Sequence, residues 1–113
     1  MAREKMARSR QLAAKVIFAA FSILKEKGGE APGRELIAEI GQRESFDGWA
    51  LARYEKSGYV RWVSILHFFS IDCIKAGFLV KKKGIWYLTP EGEKAISLGD
   101  TGLLVAATTA YRK

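Results

Sequence analysis

Three consecutive lysines stand between two short apolar runs, at residues 78–80 and 85–88, and a glycine follows them. These lysines are Lys81, Lys82 and Lys83. Aromatic, aliphatic and β-branched residues on both sides of a glycine-containing turn predict a β-hairpin with a cationic tip. An ammonium group binds phosphate as a point charge, so such a tip would add affinity for a nucleic-acid backbone without reading its sequence. The alternative is a solvated turn that only keeps an edge hairpin soluble.

A second set of candidate residues lies in the segment before this hairpin, where the spacing of apolar residues predicts a long helix. On a helical wheel, the arc opposite the apolar one carries Ser64, His67 and Lys75, together with Phe68 and Ile71. Ser64 and His67 are candidates for contact with base edges, and Lys75 is a candidate for contact with the backbone. This arc has no Asn, Gln or Arg, the side chains that read adenine and guanine by bidentate hydrogen bonds. Phe68 and Ile71 fit either thymine methyl groups or burial against a second domain or subunit.

Four arginines are further candidates for phosphate contact. Arg53 and Arg61 come just before the predicted long helix, whereas Arg8 and Arg10 belong to a basic N-terminal arm. For the arm, a disordered basic tail is an equal alternative.

No cluster of residues in the sequence indicates catalytic chemistry. His67 is the only histidine and Cys73 the only cysteine, so neither a zinc site nor a nucleophilic triad is indicated. Glu91 and Glu93 stand at a predicted helix start, where they favour the helix dipole rather than a metal site. We therefore predict that this chain is not itself an enzyme and that it holds no metal or cofactor.

The elements that must position these residues follow from apolar spacing and turn signals. Helices are predicted over residues 9–27, 34–40, 49–54, 60–75 and 91–98, and strands over residues 78–80 and 85–88. The Ala-Pro-Gly segment at residues 31–33 is predicted to be a turn. Trp62 and Trp86 lie in strongly apolar patterns and are predicted to be core residues. The order helix, basic hairpin, helix predicts a mainly α fold with a small β-hairpin, namely a winged helix (winged helix-turn-helix).

Composition agrees with a nucleic-acid partner and sets the domain count. The 113 residues fit one domain, and a formal net charge of +7 favours polyanionic partners. No apolar run approaches the roughly 18 residues that span a bilayer, and the first residues lack a secretory-signal pattern. We therefore expect a cytoplasmic protein without a membrane partner. The chain divides into a basic arm (residues 1–10), a winged-helix domain (11–99) and a tail or start of a linker to a further domain (100–113).

Several segments together resemble the N-terminal domain of Mrr-type restriction proteins. Residues 28–36 resemble the loop into that domain's second helix, and residues 75–79, 84–88 and 91–92 resemble its closing helix, its Gly-(Val/Ile)-Trp strand and its final helix start. The resemblance implies a winged-helix DNA-recognition module placed ahead of a metal-dependent nuclease domain, whose motif would lie beyond residue 113. Where the family tends to carry arginines along the long helix, this chain carries mainly apolar residues.

Three functions stay open at this point. The first is a module that binds double-stranded DNA and targets a restriction-type nuclease. The second is a stand-alone transcription regulator that dimerises through Phe68 and Ile71. The third is a winged helix used for protein–protein assembly, which the poor reading face of the long helix favours and the positive charge opposes.

Overall fold

The structure is a computed structural model that describes residues 6–111. Within these residues, six helices and three strands follow one another. They are α1 (Arg8–Glu26), β1 (Glu30–Pro32), α2 (Gly33–Arg43), α3 (Gly48–Leu51), α4 (Arg61–Lys75), β2 (Leu79–Lys82), β3 (Ile85–Leu88), α5 (Pro90–Ala95) and α6 (Gly99–Tyr111), with a 3₁₀ turn at Ile96–Leu98 before α6. The predicted mainly α fold with a small β element is confirmed, and the arrangement is that of a winged helix.

Helix α1 is the centre of the core. Apolar residues repeat around most of its length, and α2, α4 and α6 all pack against it. Ile17, Phe21 and Leu24 are completely buried, as are Leu36 and Ile40 of α2. A helix that is apolar on several sides in this way must be enclosed by other elements, which is why the remaining helices surround it.

The small sheet has three antiparallel strands in the order β1-β3-β2. The prediction of a turn at residues 31–33 is therefore wrong: Ala31 and Pro32 belong to β1, which pairs with β3, and Gly33 begins α2. Pro32 lacks an N–H group, and an edge strand such as β1 tolerates this because only one of its sides needs hydrogen bonds.

The β2–β3 hairpin, called the wing below, turns at Lys83 and Gly84. Both residues have positive φ, 53° for Lys83 and 81° for Gly84. Lys82 pairs with Ile85 across this two-residue turn. Two-residue hairpin turns of type I′ require positive φ at both positions, and glycine at the second supplies it without steric cost. The predicted hairpin is confirmed.

The two ends of the chain differ from the sequence-based division. Arg8 and Arg10 form the first turn of α1 rather than an arm, while residues 1–5 lie outside the described residues. The predicted tail is helix α6, whose Leu103, Leu104 and Ala107 are completely buried against α1 and α4. Because a helix presents positions i, i+1 and i+4 on one face, these three apolar residues complete the core. Residues 112–113 lie outside the described residues, and a further domain stays a prediction.

Candidate nucleic-acid interface

Helix α4 divides into an inward and an outward face as the wheel predicts. Trp62, Ile65, Leu66 and Cys73 are buried, and Trp62 stacks on Phe46 with ring centroids 4.7 Å apart. Burial raises the pKa of the Cys73 thiol to about 12, so the thiol stays protonated at neutral pH.

The outward face of α4 carries the residues singled out from the sequence. His67, Phe68, Ile71 and Lys75 are exposed, and Ser64 is half-buried. Phe68 is 66% exposed and touches only the edge of Phe69 among the aromatic rings, at a centroid distance of 5.2 Å. This face therefore presents a hydroxyl, an imidazole and an apolar pair side by side.

The three wing lysines do not form one solvated tip, because Lys81 lies within β2 and its side chain is half-buried. Its predicted contact with DNA stays a prediction. The side chains of Lys82 and Lys83 are exposed. Lys81 instead turns inward, because side chains alternate along a strand and Lys81 shares the face of buried Leu79 and stands opposite Trp86.

Lys81 connects the wing to α4 through a short chain of hydrogen bonds. Its Nζ lies 4.0 Å from the centre of the Trp86 ring and donates a 2.7 Å hydrogen bond to Ser70 Oγ. Ser70, completely buried, donates in turn to the carbonyl of His67 at 2.7 Å. Burial lowers the pKa of the Lys81 ammonium. A buried hydroxyl with both a donor and an acceptor partner is fully satisfied, so this chain fixes the wing against α4.

His67 lies at the junction of α4 and the wing. Its ring meets Trp86 edge-on at a centroid distance of 5.8 Å. Burial and the nearby Lys81 charge lower the pKa of His67, so the imidazole is neutral at pH 7 and each ring nitrogen offers either a donor or an acceptor. Among residues 6–111, no three His, Cys, Asp or Glu side chains are grouped so that they could hold a metal ion.

Arg8 and Arg61 both make contacts around the short helix α3, away from the wing. The Arg61 guanidinium donates to the Trp49 carbonyl at 2.8 Å and lies 4.7 Å from the centre of the Trp49 ring. Arg8 lies 4.6 Å from the same ring and pairs with Asp47 at 3.1 Å. Their contacts fix α3 against the ends of α1 and α4, so the structure does not bring them to the wing.

The remaining two predicted arginines also lie apart from the wing. Arg53 donates to the Gly58 carbonyl at 2.7 Å and closes the loop before α4. Arg10 borders a shallow groove on α6, with Val105 and Thr108. Arg8 and Arg61 share the Trp49 ring, and Ser64 and His67 border one groove on α4. At the wing, the structure brings together His67 and Lys83, which border a single groove beside the wing turn.

This groove contains a basic residue that sequence reasoning missed. Arg34, the second residue of α2, borders it together with His67, Lys83 and Trp86. Its position close to the wing depends on the pairing of β1 with β3, which carries the start of α2 to the wing turn; the Gly33 N–H donates to the Gly84 carbonyl at 2.8 Å. The only available signal was that Arg34 falls within the segment that resembles a known domain.

Comparison with protein families identifies a family whose model matches most of the chain. The model of the Mrr N-terminal domain matches residues 14–97. The chain belongs to the Mrr N-terminal domain family. The match includes α2, α4 and the wing of this Mrr N-terminal domain, while Arg8, Arg10 and α6 lie outside it. No curated protein and no solved structure matches the chain.

Within residues 6–111, no helix is both long enough and apolar enough to cross a membrane. The exposed apolar residues of α4 are confined to one side of an otherwise amphipathic helix, with Trp62 and Leu66 buried on the other. Basic side chains from the wing and α2 lie instead around the groove that His67 of α4 borders.

Proposed function

We propose that this chain binds double-stranded DNA, with the outward face of α4 in the major groove and the wing turn on the phosphate backbone. The observation that carries the proposal is the position of Lys83, which borders, from the wing turn, the same groove as His67 of α4. A winged helix places its long helix and its hairpin on neighbouring stretches of the duplex. The formal net charge of +7 supports a polyanionic partner.

Each candidate side chain has a distinct role in this proposal. Lys82 and Lys83 contact phosphate from the wing, and Lys75 does so from the last turn of α4. Ser64 and His67 meet base edges, where a neutral imidazole acts as one donor and one acceptor. Phe68 and Ile71 add apolar contact with thymine methyl groups.

The arginines around α3 support DNA binding in a different way. Arg8 and Arg61 hold α3 in place through Trp49, so they act on the loop before α4 rather than on DNA. Arg53 uses one guanidinium nitrogen on Gly58 and keeps further donors for phosphate, because a guanidinium has five N–H groups. Arg10 contributes positive charge from the side of α6.

Membership of the Mrr N-terminal domain family supports a place in a longer protein. We propose that the chain is the N-terminal recognition domain of a cytoplasmic restriction-type nuclease. In this role it positions a separate catalytic domain on DNA and performs no catalysis itself, without a metal or cofactor of its own.

A second function is favoured by the exposed apolar pair on α4. Phe68 is 66% exposed and Ile71 48% exposed, and apolar side chains at this exposure on adjacent helical turns are typical of protein interfaces. The alternative is therefore assembly, either as a homodimer or with a second domain, through Phe68 and Ile71. A symmetric dimer would bury this pair against its own copy.

The deciding experiment is fluorescence anisotropy of a labelled duplex of about 20 base pairs, titrated with the chain at several salt concentrations. Binding in the micromolar range or tighter, weakening steeply with salt, is the expected result. The same duplex with methylated cytosine tests whether base modification matters. No binding at low salt, together with a dimer in sedimentation equilibrium that Phe68→Gln dissociates, would replace DNA binding by assembly.

A further inference from the structure

A groove of ≈ 630 Å³ separates the start of α2 from the wing turn and the middle of α4. Its walls include Gly33, Arg34, His67, Lys83 and Trp86. No Asp or Glu belongs to this lining. The groove therefore combines two basic side chains with an aromatic wall and has no acidic side chain in its lining.

The indole N–H of Trp86 is the decisive feature of this groove. Trp86 is only 4% exposed, yet among the described residues its Nε1 makes no hydrogen bond. Every fully enclosed side-chain nitrogen or oxygen in residues 6–111 has a partner, so the unpaired Nε1 retains contact with solvent. Trp86 lines this groove, which gives solvent a route to the indole. Nearly all buried polar groups in proteins are paired. An unpaired donor at the wall of a groove can donate a hydrogen bond to a ligand that carries an acceptor.

Gly33 brings the indole edge to the groove. A Cβ atom at this position would lie 2.5 Å from Trp86 Nε1 and 3.0 Å from its neighbour Cδ1. Only glycine therefore allows the start of α2 and the indole to approach so closely. The approach places the N–H beside Gly33, and Arg34, the next residue, borders the same groove as Trp86.

The donors around the groove select the chemistry of its ligand. Indole, guanidinium and ammonium groups donate hydrogen bonds and accept none. Arg34 and Lys83 also carry charge, and among the described residues neither makes a hydrogen bond or ion pair. Such a set suits an oxyanion with several acceptor oxygens, and guanidinium binds phosphate especially well because its geometry matches two oxygens.

We propose that this groove binds a phosphate group, with Trp86 Nε1–H, Arg34 and Lys83 as its ligands. The inference rests on the proposed function, because α4 and the wing flank the groove and a backbone phosphodiester is then the phosphate that reaches it. The neutral indole donor adds geometric selectivity: a phosphate held at Nε1 fixes where α4 lies along the duplex. Contacts of this kind set register and orientation rather than sequence.

The test is ¹H–¹⁵N NMR of the indole groups during titration with the 20-base-pair duplex, followed in parallel by anisotropy. The Trp86 signal should move with saturation at the same duplex concentration as the anisotropy, whereas the signal of Trp62, buried on the inner face of α4, should not move. Trp→Phe variants assign the signals. A bound duplex that leaves the Trp86 signal in place would overturn the inference without affecting the proposed function.

Small probes separate the possible sources of phosphate. A shift of the Trp86 signal with the duplex, and none with inorganic phosphate at matched ionic strength, supports a backbone phosphodiester. A shift with inorganic phosphate in a chain that does not bind the duplex supports the groove as a phosphate site and removes its link to DNA. No shift with either probe overturns the site altogether.

Two variants test the ligands separately. Trp86→Phe removes the N–H but keeps an aromatic ring, and should weaken duplex binding about tenfold with an unchanged salt slope, because the lost donor is neutral. Arg34→Gln should lower the salt slope by about one. Lys94→Gln, on the exposed side of α5 in a different groove, is the charge-matched control and should leave the slope at its wild-type value. If Arg34→Gln keeps the wild-type salt slope and Trp86→Phe keeps the wild-type affinity for the duplex, the assignment of Arg34 and Trp86 as phosphate ligands is contradicted.

Discussion

The wing lysines offer a sharp test because the structure separates them into two classes. Lys82 and Lys83 are exposed, whereas Lys81 donates to Ser70 and lies against Trp86. If the wing contacts the DNA backbone, only the exposed pair can release counterions when DNA binds. We therefore expect the double variant Lys82→Gln/Lys83→Gln to change the salt dependence of binding, and Lys81→Met to leave it unchanged.

The magnitude follows from the number of phosphate contacts. Each contact contributes about 0.9 to the slope of log K against log salt, so losing two lowers the slope by about 1.8. Over a fourfold change in salt concentration, a slope difference of this size corresponds to about a twelvefold difference in how far the affinity falls.

Lys81→Met acts on stability instead. It removes a hydrogen bond from an ammonium group to a buried hydroxyl, and the relief of ammonium desolvation offsets part of that loss. We expect the free energy of unfolding to fall by about 1 kcal/mol.

The assay is duplex anisotropy at four or more salt concentrations, with urea denaturation of each variant. The double variant Lys27→Gln/Lys94→Gln removes the same net charge from exposed positions outside the wing and is the control. A slope that drops in Lys81→Met by about half as much as in the double variant would refute the reasoning, since Lys81 would then leave Ser70 to bind phosphate. An unchanged slope in the outer pair would remove the wing from the interface.

Four further results are expected. Gly92→Ala should lower the free energy of unfolding by about 1–3 kcal/mol or more, because the added Cβ would lie 2.2 Å from the Phe78 carbonyl oxygen. Gly48→Ala, with open space around its Cβ, is the control. Equal urea midpoints for the two variants would contradict the close contact between Gly92 and Phe78. Leu104→Ala should lower the free energy of unfolding by about 2–5 kcal/mol, whereas Val105→Ala, at an exposed position, should change it little. A decrease below about 1 kcal/mol for Leu104→Ala would mean that α6 is not part of the core. The pKa of His67 is lowered in the fold, so the unfolded state binds more protons and stability should decline as the pH falls below about 6.5. Lys81→Met should raise the pKa of His67, measured by NMR titration, because the nearby positive charge is removed. An unchanged pKa would show that the Lys81 charge does not act on His67.

Local signals explain which elements were predictable from the sequence. The wing turn depends on Lys83 and Gly84 alone, and the start of α5 on Thr89, whose hydroxyl accepts from the Gly92 N–H at 3.0 Å. Strand β1 escaped prediction because its partner β3 is distant in sequence, and an Ala-Pro-Gly segment by itself is typical of a turn. Helix α6 was not predicted because its buried residues pack against α1 and α4, which are distant in sequence.

The candidate site was less accessible than the fold for a related reason. Charge and residue type predicted which side chains suit DNA, but not which of them the fold already uses. Arg61 and Lys81 are both basic and near α4, yet one is committed to Trp49 and the other to Ser70. For Lys81 the signal was present: strand alternation from buried Leu79 places it inward, opposite a tryptophan that the sequence assigns to the core. The position of Arg34 beside the wing depends on the long-range pairing of β1 with β3, so it could not be predicted from the sequence.

The inward turn of Lys81 changes how the wing can act. A hairpin attached only by its strand ends would need to be ordered when DNA binds, and that ordering would cost free energy. Here Lys81, Ser70 and the His67 carbonyl hold the wing against α4, and the Gly33 N–H holds the wing turn against the start of α2. The distance between the groove at Trp86 and the reading face of α4 is thus set before any ligand arrives. A phosphate bound in the groove would therefore fix where Ser64 and His67 meet the bases, which gives a helix poor in hydrogen-bonding side chains a defined register on DNA.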